Sequence, residues 1–250
     1  MLSISQIIKK YNILANKNLG QNFLINEEIC LKIANAGEVI KEDTIVEIGP
    51  GLGSLSRFLM QTFANNIYLI EKDNRFIEIL NNEYQGNFEV LHTDALKFDF
   101  TKFTNFKIIA NLPYNIGTEL LTSWVSLQNK PKMMVLMLQK EVVNRIIAKP
   151  KSKEYGRLSV LCQAFYSCQK LFDVSPNSFY PAPNVTSSVV KLTFKNVEYD
   201  AQKLKKITEK LFSSRRKILK NALISLNINR EEFFNKRAEE LTVADFLSLL

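Results

Sequence analysis

The sequence has few of the side chains from which disulfide frameworks and metal centres are built. Its three cysteines, Cys30, Cys162 and Cys168, form no CxxC pair, and His92 is its one histidine. Disulfide-stapled secreted domains and zinc sites use clustered cysteines or histidines, so this shortage argues against both classes. We therefore expect reduced, buried thiols and no metal site.

Long apolar runs are also missing. No stretch approaches the roughly 18 uncharged residues that a membrane-spanning helix requires, and Met1 to Gly20 lack the apolar core of a secretory signal. We therefore expect no membrane partner and a cytoplasmic location. The hydrophobic content of 46% over 250 residues is enough for one main domain with a small appendage, which we expect to act as a monomer.

Acidic residues are too few to balance the basic ones, and the formal net charge is +8. The excess is concentrated in two runs. Residues 145–157 contain five basic side chains and one acid, and residues 203–220 contain eight basic side chains and one acid. One such run is usually a solvated helix face, whereas two on a basic chain favour a polyanionic partner such as nucleic acid.

Short runs rich in Ile, Val, Phe and Tyr alternate with longer segments of helical period, which is typical of an α/β fold with a parallel sheet between helices. Strands are predicted near residues 44–48, 67–71, 88–92, 106–110, 133–138 and 187–194. Helices are predicted near residues 27–37, 53–64, 74–83, 117–127, 139–147 and 156–168. The prolines between Ser175 and Val185 predict a surface loop. The β-like runs stop after Asn196, and from Asp200 onward the sequence is typical of helices. We therefore expect a main domain over residues 1–199 and a helical domain over residues 200–250.

A glycine-rich turn follows the first predicted strand. The apolar run Thr44 to Ile48 leads into Gly49-Pro50-Gly51-Leu52-Gly53, and a helical pattern begins at Ser54. Glycines there let the backbone approach a ligand closely and supply amides at a helix start, as in many nucleotide sites. The spacing is G-x-G-x-G rather than G-x-G-x-x-G, and the acid Glu47 lies inside the strand. Both features argue against a dinucleotide.

Two further acids end the next two predicted strands. Glu71 lies eighteen residues after Gly53, where carboxylates of nucleotide-binding folds accept hydrogen bonds from ribose hydroxyls. Asp94 ends the third run, where it could accept a hydrogen bond from an adenine amino group. Either acid alone is more often a loop or capping residue. Three consecutive strand ends along one sheet edge favour a nucleoside site.

These motifs resemble those of the ribosomal RNA adenine dimethyltransferases, a class I methyltransferase family. The upstream stretch Asn18-Leu19-Gly20-Gln21-Asn22-Phe23-Leu24 strengthens the resemblance. It implies a Rossmann-like class I methyltransferase sheet, S-adenosylmethionine as cofactor, and cofactor contacts from Asn22 and Leu24. The residues expected to bind the cofactor are Asn22, Leu24, Gly49, Gly51, Glu71, Asp94 and Asn111.

The turn Asn111-Leu112-Pro113-Tyr114 follows the fourth predicted strand and suits an adenine amine. That nitrogen is a poor nucleophile because its lone pair is delocalised into the ring. The side-chain carbonyl of Asn111 and the backbone carbonyl of Leu112 can each accept one N–H, which directs the lone pair at a methyl donor. Pro113 restricts the turn, and Tyr114 offers a face on which the base can stack. No dedicated base is needed, so we interpret His92 as structural.

The same turn sharpens the resemblance. Enzymes of the family that dimethylate rRNA have N-[aliphatic]-P-[aromatic], as this chain does. In that family an aromatic residue on the proline-rich loop faces the target base, and Phe179 matches its position, although core packing explains Phe179 equally well. Further matches to the small-subunit, or KsgA, type are Leu138 to Arg145, Tyr155 to Val160, and Arg215-Arg216-Lys217 with Asn221.

The resemblance implies dimethylation of two adjacent adenosines in the 3′-terminal hairpin of small-subunit rRNA within a pre-ribosomal particle. Arg216 and Lys220 are four residues apart, and we predict that they share a helical face for phosphate contacts. Lys72 departs from the family, in which many members have an aliphatic residue. Two alternatives stay open: a large-subunit rRNA adenine methylase of the antibiotic-resistance type, and a ribosome-assembly or transcription factor on the same fold.

Overall fold

A computed structural model describes residues 2–15 and 21–250 of the chain. These residues form a central sheet with helices on both faces and a small second sheet. The strands are β1 (Phe23–Leu24), β2 (Thr44–Ile48), β3 (Asn66–Glu71), β4 (Glu89–His92), β5 (Phe106–Asn111), β6 (Met133–Gln139), β7 (Tyr166–Val174), β8 (Phe179–Tyr180) and β9 (Ser187–Phe194). The α-helices are α1 (Ile4–Lys10), α2 (Glu27–Ala36), α3 (Ser56–Leu59), α4 (Asn74–Glu83), α5 (Gly117–Val125), α6 (Lys140–Ile147), α7 (Arg157–Phe165), α8 (Ala201–Phe212), α9 (Lys220–Ser225) and α10 (Val243–Leu247).

The central sheet has the strand order β4-β3-β2-β5-β6-β9-β7. The first five strands in that order are parallel, and β9 runs antiparallel to both of its neighbours. From β2 the chain adds β3 and β4 on one side and then crosses to the other side at β5. The carboxyl ends of β2 and β5 therefore flank a topological switch point, where ligands bind in open α/β sheets.

The central strands are apolar on both faces because helices cover both faces. Val46 and Ile108 belong to one hydrophobic cluster, whereas Ile45 and Ile109 belong to a second cluster on the opposite face. The first cluster includes residues of α5 to α8, and the second includes residues of α1, α2 and α4. Among the described residues, no helix is both long and apolar enough to cross a membrane.

The predicted strands are confirmed, two with the same bounds and four within one residue at either end. The predicted helix 156–168 was wrong at its end, because α7 stops at Phe165 and Tyr166–Val174 forms β7. β7 is an edge strand with a mixture of polar and apolar residues, so it lacks the apolar run by which the central strands are recognised. The predicted helix 53–64 is reduced to Ser56–Leu59, because the chain is still turning through Leu55.

The proline-rich segment is more regular than the predicted loop. Pro176–Ser178 form a 3-10 helix, and Phe179–Tyr180 form β8, which pairs antiparallel with β1. Phe23 lies opposite Tyr180, and Leu24 lies opposite Phe179. This two-residue ladder joins the N-terminal stretch to the segment before β9.

The C-terminal helices pack on the face of the sheet that α7 covers. Leu204, Leu223 and Phe246 belong to the same hydrophobic cluster as α5 to α7. The domain boundary near residue 200 stays a prediction. The prediction that Arg216 and Lys220 share a helical face was wrong, because α8 ends at Phe212 and α9 begins only at Lys220, which leaves Arg216 in the intervening turn.

Candidate active site

A cavity lies at the switch point, at the carboxyl ends of β2, β3, β4 and β5. All predicted site residues except Phe179 line it. They are Asn22, Leu24, Gly49, Gly51, Glu71, Asp94, Asn111, Leu112, Pro113 and Tyr114. The fold therefore brings five separate segments of the chain to one place. Three of them are the strand ends that the sequence pattern predicted to meet, and the segment with Asn22 and Leu24 is the one that the resemblance implied. Asn18 to Gly20 of the upstream stretch lie outside the described residues.

The structure places Phe179 in the core. Its side chain is 4% exposed and belongs to the hydrophobic cluster that contains Phe23 and Leu24, whereas its neighbour Tyr180 is 53% exposed. This agrees with the alternative interpretation of Phe179 as a core residue. A role for Phe179 in facing a target base stays a prediction.

The glycine turn brings the backbone to the cavity wall because its glycines have left-handed φ angles. The values are +64° at Gly49, +56° at Gly51 and +78° at Gly53, and residues with a Cβ atom are strained in this region. The N–H of Gly51 donates to Oε2 of Glu71 over 3.1 Å. The turn is thereby tied directly to the acid that ends β3.

A polar network around Arg57 and Tyr84 holds the glycine turn in place. The sequence did not predict this network. Arg57 is 4% exposed; its guanidinium lies 3.2 Å from Oε1 of Glu27 and donates to the Tyr84 hydroxyl over 3.1 Å. The Tyr84 hydroxyl donates to the carbonyl of Leu52 over 2.7 Å. A Cβ atom on Gly53 would lie 2.4 Å from the Tyr84 ring, so the ring and the glycine are packed against each other.

Glu71 is buried, and its orientation is fixed by three backbone N–H groups. Oε1 accepts from Lys72 and Asp73, each over 2.8 Å, and Oε2 accepts from Gly51. Burial raises the pKa of Glu71, and the backbone hydrogen bonds oppose that shift. A carboxylate oxygen has two lone pairs, so Oε2 keeps the capacity to accept from a ligand hydroxyl.

Asp94 is held as a carboxylate by Lys72. Its Oδ2 lies 2.8 Å from Nζ of Lys72, and its Oδ1 accepts from the N–H of Leu96 over 3.0 Å. The hydrogen bond from Lys72 lowers the pKa of Asp94. Lys72, the residue that departs from the family pattern, thus touches a predicted cofactor-binding acid and itself lines the cavity.

Glu47 also lines the cavity, although in the sequence it is recognised only as a mismatch with the dinucleotide pattern. It is 2% exposed, and its Oε2 has no hydrogen-bond partner in the structure. Burial raises the pKa of Glu47 to about 8, and the nearby Glu71 carboxylate adds to the shift. A buried acid with one unpartnered oxygen at a cavity wall is suited to a cationic group of a ligand. The signal in the sequence was an acid inside the apolar run of β2.

The Gln21 to Leu24 stretch closes another side of the cavity. Nε2 of Gln21 donates to Oδ2 of Asp73 over 3.1 Å, and Asp73 caps α4 by accepting from the N–H of Arg75. The ring of Phe23 packs edge-on against Phe76 of α4, with ring centroids 5.6 Å apart. The stretch is therefore anchored both to α4 and, through β1, to β8.

The turn Asn111 to Tyr114 begins at the last residue of β5 and is anchored at two points. The N–H of Leu112 donates to the carbonyl of Met137 in β6 over 3.2 Å. The Tyr114 hydroxyl lies 2.5 Å from Oγ of Ser187 in β9. Leu112 is buried, whereas Asn111 and Tyr114 are half-buried at the cavity wall. The turn thus presents an amide and an aromatic ring to the cavity that holds the three acids.

The strand order, the glycine turn after β2 and the acids that end β3 and follow β4 define a class I methyltransferase. Within that class the match is more specific. The chain belongs to the ribosomal RNA adenine dimethylase family, whose family model matches residues 12–249.

Relatives and solved structures agree with this assignment. The ribosomal RNA small subunit methyltransferase A of Clostridium botulinum (strain Kyoto / Type A2) is 40% identical over an alignment of 265 residues. The alignment covers 98% of this chain and 96% of that protein. A dimethyladenosine transferase from Plasmodium falciparum superposes with a TM-score of 0.79 at 28% identity and covers 91% of this chain and 96% of that one. The 23S rRNA methyltransferase ErmE superposes with a TM-score of 0.68 at 20% identity and covers 91% of this chain and all of that one. At this identity the comparison shows a shared fold and nothing further.

Proposed function

We propose that this protein transfers methyl groups from S-adenosylmethionine to the 6-amino groups of two adjacent adenosines in the 3′-terminal hairpin of small-subunit rRNA. The observation that carries the proposal is the shared cavity. The Asn-Leu-Pro-Tyr turn lines the same cavity as Glu47, Glu71 and Asp94. An adenine-binding turn and a set of nucleoside-binding acids are both needed for this reaction.

The residues of the cavity fit the proposed cofactor. Glu71 can accept from ribose hydroxyls, Asp94 from the adenine amine, and the backbone of Gly49 to Gly51 permits close approach. The unpartnered Oε2 of Glu47 matches the ammonium of the methionine part. S-adenosylmethionine supplies an electrophilic methyl group on a sulfonium, and the protein supplies the position of the nucleophile.

The side chains of the turn act on the target base. Asn111 accepts one N–H of the amine through its side-chain carbonyl, and Leu112 accepts the other through its backbone carbonyl. This arrangement localises the nitrogen lone pair, and correct positioning supplies much of the rate. Tyr114 stacks on the base, which must be swung out of a helix or presented in a loop to reach the cavity. A methylated amine of this kind loses its proton readily, so no dedicated base is needed.

The two basic runs meet on one side of the molecule, which supports binding of a polyanion. The guanidinium of Arg215 donates to the carbonyls of Ser152 (3.0 Å) and Lys153 (2.7 Å) and pairs with Glu239. Arg215, whose side chain is partly exposed, therefore joins the two runs. Six exposed cations that lie close to this junction in the sequence are Lys149, Lys151, Lys153, Arg216, Lys217 and Lys220. We name these six residues the basic surface and propose that it contacts RNA phosphates.

Small-subunit rRNA is favoured over the alternatives. The relative at 40% identity over nearly the whole chain is named a small-subunit methyltransferase, whereas ErmE is 20% identical. A purely binding role is not favoured, because Asn111 and Glu71 are both present at the cavity. A monomeric state, a pre-ribosomal particle as substrate and a cytoplasmic location stay predictions.

The test is to incubate the protein with labelled S-adenosylmethionine and, separately, with unmodified small and large ribosomal subunits. We expect label in small-subunit rRNA only. Label confined to large-subunit rRNA would point to the antibiotic-resistance type of methylase, and label in neither, with cofactor binding intact, would favour a binding factor.

A further inference from the structure

The hydroxyl of Tyr114 lies 2.5 Å from Oγ of Ser187, within hydrogen-bond distance. Tyr114 is half-buried at the cavity wall, whereas Ser187 is fully buried. A half-buried tyrosine hydroxyl usually has a hydrogen-bond partner. Here the partner also bears on the position of the ring.

Ser187 is a rigid point of attachment. It is the first residue of β9, which lies between β6 and β7, and it pairs with Gln139 on one side and Val174 on the other. Its backbone is fixed by ladders on both sides, so its hydroxyl can move only by side-chain rotation. Tyr114 reaches this point across β6, because β5, β6 and β9 are consecutive in the sheet.

The two anchors of the turn have different effects. The bond between the Leu112 N–H and the Met137 carbonyl fixes the backbone near Asn111. It leaves the Tyr114 ring free to rotate about its side-chain bonds. The contact with Ser187 fixes the far end of that ring, so the ring has one orientation before any base arrives.

We propose that Ser187 is a positioning residue that sets the orientation of the Tyr114 ring against the target adenine. This inference rests on the proposed function, because it assigns Tyr114 to the stacking of that base. Ser187 does not touch the cofactor or the reacting nitrogen in this account and acts through Tyr114. Its loss should therefore lower the rate of transfer and leave cofactor binding almost unchanged.

Ser188 provides a matched control. It is the next residue of β9 and is equally buried, but its side chain points to the opposite face and donates to Oδ1 of Asp173 over 2.5 Å. Ser187→Ala and Ser188→Ala each remove one buried hydroxyl and one hydrogen bond from the same strand. A general loss of strand stability would affect both variants alike.

The first measurement is the single-turnover rate of methyl transfer to unmodified small subunits, with cofactor affinity from calorimetry. We expect Ser187→Ala to slow transfer about tenfold, in line with the loss of about one hydrogen bond, with cofactor affinity within about twofold. Ser187→Thr should recover most of the rate. Tyr114→Phe should match Ser187→Ala, and the double variant should be no slower than either. A Ser187→Ala rate within twofold of Ser188→Ala, or losses that multiply in the double variant, would overturn the inference.

The second measurement is independent of activity. In protein carrying ¹³C-labelled tyrosine, the ring signal of Tyr114 should shift or broaden in Ser187→Ala and stay unchanged in Ser188→Ala. An unchanged signal in both would overturn the inference. A changed signal in Ser187→Ala, combined with a wild-type protein that binds cofactor but methylates no small subunit, would refute the proposed function and leave the positioning contact standing.

Discussion

Three carboxyl groups of one cavity have pKa values displaced in different directions. Burial raises the pKa of Glu47 to about 8 and also raises the pKa of Glu71, while the hydrogen bond from Lys72 lowers the pKa of Asp94. The difference follows from their partners: Asp94 has an ammonium beside it, and one Glu47 oxygen has none. The site is therefore built at some cost to the stability of the cofactor-free protein.

Glu47→Gln should stabilise the cofactor-free protein at pH 8. A pKa raised from about 4.5 to about 8 means that the folded state binds the proton more tightly, so this group's contribution to the free energy of unfolding falls as pH rises from about 4.5 to about 8. The glutamine variant lacks this dependence. We expect it to be more stable than wild type by at least ~1 kcal/mol at pH 8 and similar at pH 4.5, by urea unfolding.

The same variant should bind S-adenosylmethionine about tenfold more weakly at pH 8, because an amide cannot pair with an ammonium as a carboxylate can. Unchanged stability at pH 8 would show that Glu47 is not destabilising, and unchanged affinity would remove it from the cofactor pocket.

Asn111→Ala should abolish methyl transfer while leaving cofactor affinity within about tenfold, because its carbonyl is proposed to hold the target amine. Transfer is measured with labelled cofactor and small subunits, and affinity by calorimetry. Complete loss of cofactor binding would mean that Asn111 belongs chiefly to the cofactor pocket.

Among single residues, those that end strands could be predicted from the sequence. Those whose partners are distant along the chain could not. Glu71, Asp94 and Asn111 could be found because strand ends in a parallel sheet meet at one edge. Arg57 and Ser187 could not, because their partners Tyr84 and Tyr114 lie 27 and 73 residues away. Only the folded chain shows these pairs.

Among the elements, the glycine turn depends most on its backbone geometry. Gly53 has a left-handed φ, and its neighbour Tyr84 is held by Leu52 and Arg57, so the ring cannot move aside cheaply. Gly53→Ala should lower the free energy of unfolding by ~2 kcal/mol or more, from backbone strain and the clash together.

Gly156→Ala is the control for that prediction, because no atom lies within 4 Å of its added Cβ and its φ of −169° is ordinary extended backbone. We expect a change within about 1 kcal/mol by urea unfolding. Equal losses in the two variants would mean that the packing of Gly53 on Tyr84 is not what constrains the turn.

The central strands and the edge strand β4 were predictable, whereas the peripheral strands β1, β7 and β8 were not, for a physical reason. β2, β5 and β6 are covered on both faces and read as apolar runs, whereas β7 is an edge strand with polar positions. β1 and β8 are two residues each and exist only through each other. The break between α8 and α9, which separates Arg216 from Lys220, likewise depends on how the C-terminal segment packs.

For the molecule as a whole, the basic surface predicts salt-dependent RNA binding. Replacing Arg216, Lys217 and Lys220 together by alanine should weaken binding to small subunits about tenfold or more at low salt and flatten the dependence of log K on log salt by roughly two units. Cofactor affinity should not change, since none of the three lines the cavity.

Filter binding over a salt series, with calorimetry for the cofactor, measures both quantities. If the triple variant keeps the wild-type slope, these three cations do not contact RNA phosphates.

The identity and position of the methylated product test the proposed function most directly. Small subunits from a strain that lacks these methyl groups are incubated with the protein and S-adenosylmethionine, and the 3′-terminal fragment of the rRNA is digested and examined by mass spectrometry. We expect two adjacent N6,N6-dimethyladenosines in the terminal hairpin. Methylation elsewhere, or none at that hairpin while large-subunit rRNA is methylated, would contradict it.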